Sequence, residues 1–188
     1  MDRKDKIESV IQQRREGLVI LEDIHDPHNA EAVMRTVEAM GWQKVWLIFE
    51  KEVGFDPKQV GKSSSSSANK WLRFEIFGST KECLEKAKKE GYVVYATVLD
   101  SEADSLAESD LTKRKIAWCV GNEHRGLSQM AINMADKKVY IPMKGMVQSL
   151  NLSVATAICL WETERQRGKK RGYEIDDGER EKLSREWK

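Results

Sequence analysis

Three polar segments stand where apolar runs end or helical patterns begin, the places where a folded chain puts its chemistry. The first, Glu22-Asp23-Ile24-His25-Asp26-Pro27-His28-Asn29, follows the apolar run Leu18-Val19-Ile20-Leu21 and enters a helical pattern that carries Arg35. Asp26-Pro27 suits a helix start, with Asp capping and Pro in the first turn. The second, Gly121-Asn122-Glu123-His124-Arg125-Gly126-Leu127-Ser128, follows the run Ile116 to Val120. Glycines flanking polar residues at the C-terminal end of a buried strand are where open α/β sheets hold ligands, because glycine lets a ligand approach the backbone. The third, Ile141-Pro142-Met143-Lys144-Gly145-Met146-Val147-Gln148-Ser149-Leu150-Asn151-Leu152-Ser153, opens a helix predicted over Leu150 to Trp161. Ser149 suits its N-cap, and Asn151 and Ser153 bring hydrogen-bonding groups to a helix N-terminus, where a polar ligand can be held.

Other signals fail a closer reading. Gly61-Lys62-Ser63 lacks the glycine a phosphate loop needs five residues earlier, where Asp56 stands. Ser63 to Ser67 read as a flexible loop whose hydroxyls, with Lys62, suit contact with a nucleic-acid backbone. No Gly-x-Gly-x-x-Gly occurs, so a Rossmann dinucleotide site has no support. His25, His28 and His124 have no cysteine or carboxylate arranged with them for a metal, and none is expected.

The elements that position these segments follow from apolar periodicity. Leu18 to Leu21, Val45 to Phe49, Phe74 to Phe77, Val93 to Leu99, Ile116 to Val120 and Val139 to Ile141 read as strands buried on both faces. Ala30, Val33, Met34, Val37 and Met40 mark one helix, and Leu84 and Ala87 before Gly91 mark another. Alternation of strand and helix predicts an α/β fold with a mostly parallel sheet flanked by helices. The helix from Leu150 to Trp161 is apolar on nearly every side, so it is expected to be buried all round. Residues 1–16 read as a short helical extension, 17–167 as the main domain and 168–188 as a basic, mixed-charge extension that is also expected to be helical.

Composition narrows the class. The 188 residues hold 32 Lys and Arg against 31 Asp and Glu, a net charge of +1, so any basic footprint must be local. With 40% hydrophobic residues the chain folds. Its apolar runs fall far short of the roughly 20 residues of a membrane span, and the charged start is no secretory signal. Cys83, Cys119 and Cys159, odd in number and each within an apolar or helical pattern, point to reduced thiols and a cytoplasmic protein.

Taken in order, Asn29 with Arg35, Gly121-Asn122-Glu123-His124-Arg125-Gly126, and Ser149-Leu150-Asn151-Leu152-Ser153 resemble the three motifs of the SpoU branch of the SPOUT methyltransferases. Within that branch, Ile141 to Ala155 is similar to the bacterial tRNA (guanosine 18) 2′-O-methyltransferases. The resemblance spans about residues 16–168 and implies a C-terminal deep trefoil knot, S-adenosylmethionine as cofactor and a homodimer. It also implies that Thr97, Gly121, Ile141 and Leu150 line the cofactor pocket, and that Asn29, Arg35, Glu123, Ser149 and Asn151 form the active site. The implied reaction is methyl transfer to the ribose 2′-hydroxyl of a tRNA guanosine in the D-loop. The alternatives are a ribosomal RNA target, or an RNA binder that keeps the fold without catalysis.

Those residue types fit the implied chemistry. The donor carries an excellent leaving group, so in-line placement of the hydroxyl carries much of the rate. Arg35 either grips a neighbouring phosphate and lowers the hydroxyl's pKa or, relieved of a proton by that phosphate, acts as base. Glu123 either orders Asn29 or Asn151 or accepts the proton itself. Only about 16 residues precede the first strand, which favours tRNA over the ribosomal targets of relatives with a longer N-terminal part. Arg165, Arg167, Lys169, Lys170 and Arg171 make a concentrated phosphate-binding footprint, and Arg14 and Arg15 are expected near the same surface.

Overall fold

The strand Leu18–Glu22 (β1) is buried at every position because it lies inside a sheet covered on both sides. The computed structural model describes residues 2–60, 68–100, 103–168 and 170–187. In chain order the elements are α1 (Arg3–Gln12), β1, α2 (Pro27–Ala39), β2 (Lys44–Ile48), a 3₁₀ turn (Ala68–Trp71), β3 (Arg73–Phe77), α3 (Thr80–Lys89) and β4 (Val93–Thr97). They continue with β5 (Asp104–Ser105), β6 (Ile116–Val120), α4 (Gln129–Met134), β7 (Lys137–Tyr140), α5 (Leu152–Arg167) and α6 (Asp177–Glu186). The seven strands run β3-β2-β1-β6-β4-β7-β5, and their pairings are parallel. The α/β architecture therefore matches the alternation of apolar runs. The short β5 and α4 carry too little apolar periodicity to be read in advance, whereas α1 and α6 stand where the short N- and C-terminal helical extensions are expected.

Strand alternation divides the core into two layers. Val19, Leu21, Val45, Leu47, Trp118 and Val120 face α2 and α5. Leu18, Ile20, Trp46, Ile48, Ala117 and Cys119 face α3 and α4. The three thiols are free and buried. β3 corrects the expectation of strands buried on both faces: it closes one edge of the sheet, and only Phe77 is buried.

The two ends of the chain join. Glu16 donates its N–H to the Tyr173 carbonyl, Ile175 donates to Arg14, and Arg15 bridges Glu174 antiparallel. Ile11, Ile175, Leu183 and Trp187 then bury a third, smaller apolar cluster between α1 and α6.

Helix α5 departs from the reading in two ways. Asn151 is its N-cap, accepting from the Ser153 N–H, so the helix begins at Leu152 and Ser149 lies outside it. Nor is it buried all round, because Val154 and Trp161 are 47% and 61% exposed. Leu152, Thr156, Cys159, Leu160 and Thr163 face the core and half-buried Ile158 packs against it, while Val154 and Trp161, seven residues apart, face outward on one side of the helix.

Candidate active site

The loops that leave β4, β6 and β7 converge at the C-terminal edge of the sheet, where the strand order ceases to follow the chain. They enclose a cavity of about 690 Å³. Thr97, Gly121, Ile141 and Leu150, the four residues read as cofactor-lining, all lie on its wall, and so do Asn29, Glu123, Ser149 and Asn151.

A hydrogen-bond chain orders the polar side. Glu123 Oε1 accepts from Asn29 Nδ2 at 2.8 Å and from the Asp26 N–H at 3.2 Å, while Oε2 accepts from the His25 N–H at 2.9 Å. Asn151 Nδ2 donates to Asn29 Oδ1 at 3.2 Å, and Asn151 Oδ1 caps α5. The three sequence segments thus meet through one carboxylate and two carboxamides. Burial pushes the Glu123 carboxyl up, but the donors from Asn29, His25 and Asp26 outweigh it and hold the group below its ordinary value. An ionised carboxylate whose oxygens are filled by donors is an organiser of the site, and a weak base.

Local backbone explains why the loops hold this shape. Asp23 adopts φ +52°, a left-handed conformation that aspartate tolerates better than most residues. Its Oδ1 accepts the N–H groups of Glu50, Lys51 and Glu52, and its carbonyl accepts Asn122 Nδ2 at 2.7 Å. Asn122 Oδ1 in turn accepts the N–H groups of His124 and Arg125, closing the turn between Asn122 and Gly126. A Cβ on Gly121 would collide with the Gly126 carbonyl and the Leu127 amide, so glycine is required there by the packing of the loop on itself. Buried Glu22 accepts from Thr80 Oγ1, Ser128 Oγ and the Ser128 N–H, tying the starts of α3 and α4 to the end of β1. Glu22 and Asp23 stand in the first polar segment, but their roles, and Glu52 altogether, are not legible in the sequence because their partners are remote in the chain.

Arg35 is placed elsewhere. Six residues beyond Asn29 is about 240° round a helix, and its exposed side chain lines a different cavity, between α1, α2 and Trp187. It makes no hydrogen bond or ion pair among the described residues.

The proposed phosphate contacts divide. Arg14 is 1% exposed: Nη2 pairs with Glu38 at 2.7 Å, Nη1 donates to the Glu38 and Trp42 carbonyls, and the guanidinium stacks 5.0 Å from Trp187. Arg167 is 0% exposed, lies between the Trp42 and Tyr173 rings and donates to the carbonyls of Glu16, Lys113 and Arg114. Arg15 holds the Gly168 and Lys170 carbonyls and pairs with Glu164 and Glu174. Buried Arg14 and Arg167 are structural and unavailable to RNA, a correction that follows from the joining of the chain ends, while partly exposed Arg15 is committed to holding the two ends together. Arg165 is at the surface and paired with Glu162 at 2.7 Å, and Lys170 and Arg171 are exposed. Lys62 and Lys169 lie outside the described residues. A further cavity is lined by Lys58, Lys70 and Lys182, which make no ion pair among the described residues, together with Trp187 and Arg73, which pairs with Glu186 on the same wall at 2.9 Å.

Residues 16–161 match the SpoU rRNA Methylase family. The chain belongs to that family. The tRNA (guanosine(18)-2′-O)-methyltransferase of Thermus thermophilus is 38% identical to this SpoU methylase over 166 residues, covering 88% of this chain and 83% of the relative. The Aquifex aeolicus TrmH/SpoU tRNA modifying enzyme superposes with a TM-score of 0.85 at 31% identity, over 98% of this chain and 94% of its own. The SpoU methyltransferase AviRb of Streptomyces viridochromogenes, solved with AdoMet, matches the SpoU methylase at a TM-score of 0.70 and 28% identity, over 87% and 62% of the two chains. Among the described residues of the SpoU methylase, no helix is long and apolar enough to cross a membrane.

Proposed function

We propose that this chain transfers the methyl group of S-adenosylmethionine to the ribose 2′-hydroxyl of the D-loop guanosine 18 of tRNA. The observation that carries the reading is the Glu123–Asn29–Asn151 chain on the wall of the loop cavity, in a member of a methylase family. The cavity fits the cofactor: Leu99, Ile141 and Leu150 offer apolar cover for an adenosyl group, and polar groups line the opposite side. S-Adenosylmethionine supplies, when bound, a methyl group on a sulfonium that departs as a neutral thioether.

The chain's own residues then position the nucleophile. Glu123, ionised and locked by its donors, fixes Asn29, and Asn29 fixes Asn151 at the helix start. Asn29, Asn151 and Ser149 offer amide and hydroxyl groups to the ribose, so orientation carries much of the rate. Thr97, Gly121, Ile141 and Leu150 hold the cofactor, and the loops that carry them form the trefoil knot of the reading, a placement supported by the non-sequential order β6-β4-β7.

The protein acts as a cytoplasmic homodimer. The outward-facing Val154 and Trp161, with exposed Met146 and Val147 in the preceding loop, support an interface beside the cavity. Arg35, exposed and without a hydrogen-bond or ion-pair partner among the described residues, then serves the active site of the other subunit, gripping a phosphate or acting as base. The transfer RNA body is held by Arg165, Lys170, Arg171 and the Lys58, Lys70 and Lys182 cations. The domain carrying the chemistry is 17–167, with 1–16 and 168–188 as its extensions.

The test is incubation of the protein with total RNA and labelled S-adenosylmethionine, followed by mapping of the methylated nucleotide. Label on guanosine 18 of tRNA is the expected result. Label on ribosomal RNA, or none, refutes the reading.

A further inference from the structure

Among the described residues, Arg125 is the one lysine or arginine lining the methyl-transfer cavity. Its side chain is 50% exposed. Nη2 pairs with Glu52 Oε1 at 2.7 Å, and the remaining donors make no hydrogen bond among the described residues. A planar guanidinium anchored by one nitrogen keeps its other edge aimed outward, the geometry that suits phosphate oxygens.

Glu52 is itself held firmly. Its N–H is the third of the three that Asp23 Oδ1 accepts, and Asp23 is buried and bound through its carbonyl to Asn122. The second carboxylate oxygen of Glu52 meets His25 Nδ1 at 3.0 Å. His25 and His124 pack edge to face with ring centroids 5.8 Å apart, so the rim carries two imidazoles beside the guanidinium. Two carboxylates therefore join the same two loops: Glu123 from inside, through backbone and Asn29, and Glu52 from outside, through His25 and Arg125. The hydrogen bond and charge of Glu52 raise the His25 pKa, with Glu123 adding to the rise and Arg125 opposing it. An ordinary surface ion pair would need none of this scaffolding.

We propose that Arg125, aimed by Glu52 and flanked by His25 and His124, is a phosphate clamp at the cavity rim that grips the RNA backbone beside the reacting ribose. This assignment rests on the methyl-transfer reading and adds a binding residue to it. Arg125 touches the RNA, and Glu52 is a positioning residue that acts through it.

The experiment is filter binding of a tRNA transcript at several salt concentrations, with cofactor affinity measured by calorimetry on the same preparations. Arg125→Ala is expected to weaken tRNA binding about tenfold and to flatten the log–log salt dependence by roughly 0.7–0.9, one phosphate contact. Cofactor affinity should move less than twofold. Arg125→Lys keeps the charge and should restore the slope but not the full affinity. Glu52→Gln should keep the slope, weaken binding several-fold and lower the His25 titration midpoint followed by NMR. An unchanged affinity and slope in Arg125→Ala, or a parallel loss of cofactor affinity, overturns the clamp. A wild-type protein that binds tRNA but transfers no methyl group refutes the catalytic reading alone, because the slope comparison still decides the clamp.

Discussion

Replacing Arg167 with Ala separates a structural arginine from an RNA-binding one. Its guanidinium is fully enclosed and donates to the carbonyls of Glu16, Lys113 and Arg114 at 2.8, 2.9 and 3.1 Å. It also pairs with Glu164 at 3.3 Å and is stacked between two aromatic rings. Burial lowers the pKa of this guanidinium, with Glu164 opposing the shift. Truncation strands three carbonyls, at about 1–3 kcal/mol each if water does not reach them, and leaves the Trp42 and Tyr173 rings facing a void. Water entering that void offsets part of the loss, so the net destabilisation should be about 3–5 kcal/mol, typical of removing one member of a buried charged network. For a chain of this size each kcal/mol moves Tm by about 2–4 °C, so the midpoint should fall by about 6–20 °C. The assay is thermal and denaturant unfolding followed by circular dichroism, paired with tRNA binding well below the new midpoint. The expected result is a large loss of stability with an unchanged salt slope. A variant that keeps its Tm and loses a phosphate contact would refute the structural assignment and restore Arg167 to the RNA footprint.

Two further perturbations probe the site and the assembly. Gly121→Ala forces a Cβ into the Gly126 and Leu127 backbone, so the loop must shift, and cofactor affinity by calorimetry should fall at least tenfold, with a stability loss of about 1–3 kcal/mol. Wild-type affinity would mean that the loop tolerates opening. Trp161→Glu places a charge on the outward side of α5 without touching the core face, so, on the proposed homodimer, light scattering should report a dimer for the wild type and a monomer for the variant. A dimeric variant would put the interface elsewhere.

The sequence by itself determined the architecture and the places of the chemistry. Buried parallel strands must be nearly all apolar, so five-residue runs such as Leu18–Glu22 and Ile116–Val120 announce themselves, and the helices between them show their 3.6-residue stripe. Asp26-Pro27 marked the start of α2 because cap chemistry is local. Asn29, Glu123 and Asn151 were readable as polar residues at element ends, and the parallel sheet that brings such ends to one edge did the rest.

Only the tertiary structure decided matters that depend on distant partners. Seven residues of dense charge before Gly172 look alike in sequence, yet Arg167 is buried because the N-terminal segment folds over it and offers the Glu16 carbonyl. The outward side of α5 looked like core because residue type records hydrophobicity without saying which face a neighbour covers, and Trp161 is exposed over most of its surface. The N-cap shifted from Ser149 to Asn151 because both residues suit a cap, and the hydrogen bond to Asn29, 122 residues away, selects the orientation of one of them. Glu52 and Arg125 illustrate the limit most sharply: 73 positions apart, they meet because β2 and β6 both flank β1 and end at the same edge of the sheet. Local propensities reach only a few residues along the chain, whereas an ion pair requires only closeness in space, which the order of strands in the sheet provides.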